Sequence, residues 1–161
     1  MHEIVGVAID SIYAANIGSP SDLAPGDLTA KTIGLLLRLE EWRHKLTPFD
    51  ILKPSSDLGS WSSSKFHTER YVLMLSIFYH KVVMIISWPV LMTALDRTTN
   101  RKSVEMNDSS ILQSTFVSVI KQDLQAIQEF QILIEWSLRR DPGFFKRNAV
   151  WWVCNFTGMY M

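Results

Sequence analysis

YHKVVMIISWPVL, residues 79–91, admits three readings, and the choice among them decides the fold. It is a membrane segment, a catalytic Tyr–His pair, or the centre of a buried helical core. Val82 to Leu95 runs without a charge, as does Tyr71 to Tyr79, but His80-Lys81 separates the two runs and Pro89 interrupts the second. A spanning helix needs about 20 apolar residues in succession. A Lys near its middle costs about 2.5–3.5 kcal/mol on insertion scales. No membrane contact is therefore expected. A helix that is apolar all round and does not span a bilayer is a central helix, covered on every side by protein.

The catalytic reading fails on geometry. Tyr79 and His80 are neighbours in the chain, so on a helix their side chains diverge by about 100° and cannot form a nucleophile–base pair. His2, His44 and His67 show no metal-ligand spacing. There is no Gly-rich phosphate loop, no Ser-containing elbow and no HExxH pattern. Glu40-Glu41 reads as an acidic pair on a solvated helix surface. The sequence predicts neither catalytic residues nor a metal site, and the chain is not expected to be an enzyme. What remains is packing: Leu73, Ile77, Tyr79, Val83 and Ile86 are core, with His80 at the edge of that core and its ring hydrogen-bonded.

The totals agree with a helical domain of ordinary size. The chain has 161 residues, 47 % hydrophobic and 20 % charged, with a formal net charge of zero. That balance is far from the composition of disordered chains. A neutral surface has no bulk attraction for phosphates, so direct nucleic-acid contact is not expected. The one cysteine, Cys154, excludes an internal disulfide and a Cys-cluster metal site, and suits a reducing compartment. Asn107-Asp108-Ser109 and Asn155-Phe156-Thr157 are glycosylation-type triplets that matter only in a secreted chain. The opening MHEIVGVAIDS has no basic region and does not read as a signal peptide.

Periodicity places the other helices. Ile4, Ala8, Ile12 and Ala15 share one face of a helix over 3–17, stopped at Gly18. Asp27 or Thr29 is the expected cap of a second helix, 29–46, with Leu35, Leu39, Trp42 and Leu46 on one stripe and Ile33 and Leu36 beside it. Arg38, Glu41 and Lys45 face away, and Pro48 ends the helix. The central helix spans 65–95. Asn107 or Asp108 caps a long amphipathic helix over 109–139, whose stripe is Phe116, Ile120, Leu124, Ile127, Ile134 and Leu138. Asp141-Pro142-Gly143 breaks it. The chain closes on the aromatic-rich KRNAVWWVCNFTGMYM.

KPSSDLGSWSSS at 53–64 and DRTTNRKSVEMND at 96–108 read as long polar loops, either surface excursions or partly disordered segments. No segment alternates with period two, and no Asn-Gly or Asp-Gly marks a hairpin. The expected fold is all-α, an irregular multi-helix bundle of about five helices with these two long loops.

The order of features also resembles a known family. LLLRLEEWRHKLTPFDI, a Ser-rich loop and YVLMLSIFYHKVVMIISWPVLMTAL together resemble the middle regulatory region of fungal zinc-cluster transcription factors, the fungal-specific transcription factor domain. That region typically has a Leu-x-x-Trp helix leading into a Leu-Pro pair. A variable loop follows, then a helix running Leu-x-Leu-x-Tyr-His into Arg-Pro-Phe-Leu. Leu39 and Trp42 match the first element, Leu73, Leu75, Tyr79 and His80 the second, and Pro89 and Leu91 the third. EIVGVAIDSIYAANIGSPS is similar to the helix that precedes the Trp helix, and FKRNAVWWVCNFTGMYM to a late aromatic helix. The match covers most of the chain through loose motifs, whose order and spacing carry it. The departures are specific. Leu-Pro is Leu46-Thr47-Pro48, the Arg before the Pro is Trp88, and the Phe after it is Val90.

The resemblance implies a helical regulatory module, nuclear, acting on RNA polymerase II transcription through an inducer, a dimer or co-regulators. Family members carry a six-cysteine zinc cluster that reads DNA. This chain has no such cluster and so, by the resemblance, no DNA-binding domain and no cofactor. Residues 1–161 are expected to be part of the regulatory domain, a fragment of the longer regulator. Tyr79, His80, Met84 and Trp88 on the central helix are the residues expected to line an inducer pocket. The alternative expectation is a helical protein–protein adaptor unrelated to transcription.

Overall fold

The computed structural model describes residues 3, 6, 7, 25–46, 51, 70–99 and 110–149. Among these there is no strand, and the fold is all-α. Four helices follow one another: α1 (Pro25–His44), α2 (Arg70–Thr99), α3 (Ser110–Arg140) and the short α4 (Phe144–Arg147). Glu3, Gly6 and Val7 are also helical, and the rest of the helix expected over 3–17 lies outside the described residues. So do the Ser-rich loop at 53–64, Pro48 and the aromatic run after Ala149.

The first helix begins earlier than its expected cap. Pro25 occupies the first helical position, where a fixed φ and a missing N–H cost nothing. Asp27 and Thr29 are thus inside the helix and do not cap it. Asp27 instead places negative charge in the first turn, and Arg43 and His44 place basic groups in the last, both favourable to the helix dipole.

α2 runs through Pro89 and on to Thr99, so residues 96–99 of the expected second loop are helical. Proline inside a helix removes one backbone donor and crowds the preceding turn. The helix survives because Ile86 and Val90 on either side are completely buried, so breaking it would expose core. Thr93 Oγ1 donates to the Pro89 carbonyl at 2.8 Å. By length and composition α2 could cross a bilayer within Arg70–Asp96, but 67 % of its apolar 18-residue window is buried inside the bundle.

The core has two parts. Leu28, Leu35, Leu36 and Leu39 of α1 pack with Tyr79, Val82, Val83, Ile86 and Val90 of α2 and with Val119 and Ala126 of α3. Val72, Leu73, Met74 and Ile77 of α2 pack with Leu133 of α3 and Phe144 of α4. The start of α2 therefore lies against the end of α3, and the end of α2 against the start of α3. The two long helices are antiparallel, and α1 lies across the second half of α2. Each fully buried Leu or Ile contributes about 1.5–3 kcal/mol by leaving water.

The buried face of α3 is not the expected stripe. Leu124 and Leu138 are exposed, and Phe116, Ile120, Ile127 and Ile134 are only half-buried. The buried residues are Val119, Asp123, Ala126, Glu129, Leu133 and Ser137. Their spacing is as regular as that of the expected stripe, but several of them are small or polar. Small side chains let α3 approach α2 closely, and the bulkier residues flank that contact. Two of the buried hydroxyls turn to their own helices: Ser76 Oγ donates to the Val72 carbonyl at 2.7 Å and Ser137 Oγ to the Leu133 carbonyl at 2.5 Å.

The Asp-Pro-Gly break ends α3 as expected. The Gly143 amide donates to Asp141 Oδ1 at 3.0 Å, and the Phe144 amide to the Asp141 carbonyl at 2.9 Å. Arg147 returns to pair with Asp141. A Cβ at Gly143 would stand 2.6 Å from Arg147 Nη1, so glycine there leaves room for that return. The turn seats Phe144, 1 % exposed, in the second core.

Candidate functional site

A polar cluster sits where α1, α2 and α3 meet. Glu40 near the end of α1 accepts a hydrogen bond at Oε1 from the Tyr79 hydroxyl on α2. Its Oε2 accepts from Arg43 Nε at 2.9 Å and Nη2 at 2.8 Å, one turn along α1. This fork fixes the carboxylate, and the carboxylate fixes the phenol. His80 meets the Tyr79 ring edge-on, with centroids 5.3 Å apart and planes at 83°. Burial holds the Tyr79 hydroxyl well above the ordinary phenol range. The Glu40 hydrogen bond and charge add to this, and Arg43 opposes it. Tyr79 is therefore a donor at any physiological pH and not a base.

The cluster opens on a cavity of about 170 Å³. Glu40, Arg43, Tyr79 and His80 form one wall, and Gln122, Gln125, Ala126 and Glu129 of α3 form the other, with Ile51 and Val83 between them. A second cavity, about 310 Å³, lies between α1 and α3, lined by Ile33, Leu36, Leu37, Glu40, Thr115, Ser118, Val119 and Gln122. Glu40 and Gln122 border both. A movement of the Glu40 side chain thus changes both spaces and the α1–α2 contact at once.

Two further groups carry shifted titration. Burial lowers the Lys81 ammonium to about 8. Burial also raises the Asp123 carboxyl to about 6. Asp123 is 1 % exposed, and neither of its oxygens has a hydrogen-bond partner. Among the described residues no group of His, Cys, Asp and Glu is arranged to hold a metal ion.

Of the four residues expected to line a pocket, Tyr79 and His80 line the first cavity. Met84 is half-buried and packs against the first core, and Trp88 is 48 % exposed. Neither borders either cavity. Leu39, Leu73 and Pro89 are buried, while Trp42, Leu75 and Leu91 are half-buried. His80 is buried, 8 % exposed, on the wall of the first cavity.

Glu40 is the main correction. It was expected on a solvated surface beside Glu41, yet it is half-buried and ties α1 to α2, while Glu41 is exposed. The signal was present in its place one residue after Leu39 and three before Arg43, an i, i+3 pair at the border of the apolar stripe. Gln122, Gln125 and Glu129 carry no such signal, because the bulkier apolar residues of α3, Leu124 and Leu138 among them, mark a stripe other than the one that is buried.

No protein-family model matches the chain, and no curated protein or solved structure matches it.

Proposed function

We propose that this chain is a regulatory, non-DNA-reading helical module of a fungal zinc-cluster transcription factor, acting in the nucleus through a small-molecule inducer, a dimer or co-regulators. The order of the Leu-Trp, Leu-Leu-Tyr-His and Pro-Leu elements supports this reading. The observation that carries it is the Glu40–Tyr79 bond, which joins the two helices bearing the first and second elements and borders a cavity. An inducer in that cavity would compete for Glu40, Arg43 and Tyr79. It would favour whichever packing of α1 against α2 it binds more tightly.

The test places the chain between a heterologous DNA-binding domain and an activation domain and reads a reporter gene. The module should lower output at least about fivefold relative to an inert linker of equal length, the low end of coupling between sites. Glu40→Ala and Tyr79→Phe, each checked for helical content, should relieve that repression. Output equal to the linker's refutes the reading.

A second reading, a protein–protein adaptor unrelated to transcription, is favoured by Trp88, Met92 and Leu95. These residues lie at i, i+4 and i+7 on α2 and are 48 %, 41 % and 49 % exposed. An adaptor would leave the reporter at the linker's level.

A further inference from the structure

We propose that the cavity bordered by Glu40 and Glu129 takes a small primary amine in its ammonium form, carried on an apolar body about the size of one ring. The inference rests on the regulatory reading above, whose ligand it assigns to a chemical class.

Charge points to a cation. Glu40 on α1 and Glu129 on α3 stand on opposite walls, and among the described residues that line the cavity Arg43 is the one Lys or Arg. Arg43 is already held by Glu40, through Nε at 2.9 Å and Nη2 at 2.8 Å. Glu129 is buried. Asp123 lies in sequence between Gln122 and Ala126 of the lining and adds a third buried carboxyl, with neither oxygen hydrogen-bonded. Away from bulk water this excess of acids attracts a cation and repels an anion.

Hydrogen bonding narrows the cation to an amine. An ionised carboxylate offers about four acceptor positions. Glu40 fills one at Oε1 with the Tyr79 hydroxyl and two at Oε2 with Arg43, so a position at Oε1 stays open to a donor. A primary ammonium carries donors only, as lysine does. Glu40 on one wall and Glu129 on the other supply its acceptors, with the amide oxygens of Gln122 and Gln125 beside them. An ammonium that bridges Glu40 and Glu129 ties α1 to α3, where Tyr79 already ties α1 to α2.

Size sets the rest of the molecule. The cavity has a volume of about 170 Å³. An apolar cavity of about 150 Å³ holds one benzene ring. Ile51, Val83 and Ala126 line the space with the Tyr79 ring, and give an apolar body its surroundings beside the charged head.

The experiment is isothermal titration calorimetry on the full chain at neutral pH with benzylamine, benzyl alcohol and benzoate, one body carrying a positive, a neutral and a negative head. Benzylamine should bind at one site, at least about tenfold more tightly than benzyl alcohol, the margin of a hydrogen bond to a charged group. Benzoate should show no saturable binding. Glu129→Gln keeps the shape and removes the charge, and should weaken benzylamine at least about tenfold while leaving benzyl alcohol unchanged. Gln125→Glu, at an exposed position, should tighten benzylamine about two- to fivefold. Circular dichroism checks each fold, and if Glu129→Gln does not fold, the three ligands and Gln125→Glu decide. Equal affinity for the three ligands overturns the proposal, as do a preference for benzoate, the absence of saturable amine binding, and a folded Glu129→Gln that binds the amine as the wild type does. Amine binding without repression of the reporter removes the regulatory reading and leaves this assignment standing. Repression without amine binding does the reverse.

Discussion

Replacing Asp123 by Asn should raise stability, and by an amount that depends on pH. Asp123 is 1 % exposed on the face of α3 that packs into the bundle, with no hydrogen-bond partner for either oxygen. An ionised carboxylate in that setting loses its hydration without compensation, so the folded protein favours the protonated acid. Its carboxyl rises from the ordinary 3.8 to about 6. The unfolded chain therefore releases this proton first as pH rises, and the folded chain binds more protons in the interval. Stability from this group is fully present below about pH 4 and is lost as pH climbs through 6. A shift of about two units corresponds to about 3 kcal/mol, at 1.36 kcal/mol per unit.

The neutral Asn is free of this penalty. The stability of Asp123→Asn minus that of the wild type should be about 1 kcal/mol at pH 4.5 and about 3 kcal/mol at pH 7.5. Urea unfolding followed by circular dichroism at several pH values measures both proteins, and the difference cancels the titration of every other group. A difference that is flat over this range, or that shrinks as pH rises, would refute the reasoning and mean that Asp123 is solvated or partnered in the folded state.

Three other outcomes follow from the packing. Leu133→Ala, at a completely buried site, should cost about 2–5 kcal/mol, whereas Leu124→Ala, half exposed, should change the stability read from urea unfolding by no more than about 0.5 kcal/mol. Equal effects would restore the expected stripe and reject the observed one. Phe144→Ala should cost about 3–5 kcal/mol, because α4 seats that ring in the second core, and thermal unfolding measures it. Tyr79→Phe leaves the ring packed but removes the donor to Glu40, and should cost about 1–3 kcal/mol. If Glu40→Ala in the same background costs as much as it does alone, the two residues are uncoupled and the cluster is not a unit.

The long helices were legible because their cause is local. Apolar residues recur with the helical period over 29–46 and 109–139, and α1 and α3 fall within a few residues of those ranges. Asp141-Pro142-Gly143 stops α3 wherever the rest of the chain goes. The central position of α2 was legible too, since most of an apolar helix must be covered, although Trp88, Met92 and Leu95 leave one stripe of it exposed. Tyr79 could be placed in the core by this argument. Its partner could not, because nothing in the sequence near residue 79 points to Glu40, 39 positions away.

Local chemistry along the chain determined that this protein is all-α, that its longest helices lie near these ranges, and that residues 71–90 form its centre. Only the tertiary structure decided which side of α3 turns inward, that Glu40 is an internal anchor, that α2 passes through Pro89, and that a lone carboxylate at 123 is buried. The reason is the same in each case. Periodicity states that a helix has an apolar side, but the side that is buried is chosen by the shape of the neighbouring helices. Close approach between α2 and α3 favours small residues at 126 and 137 over the larger Leu124 and Leu138, and carries Asp123 inside with them.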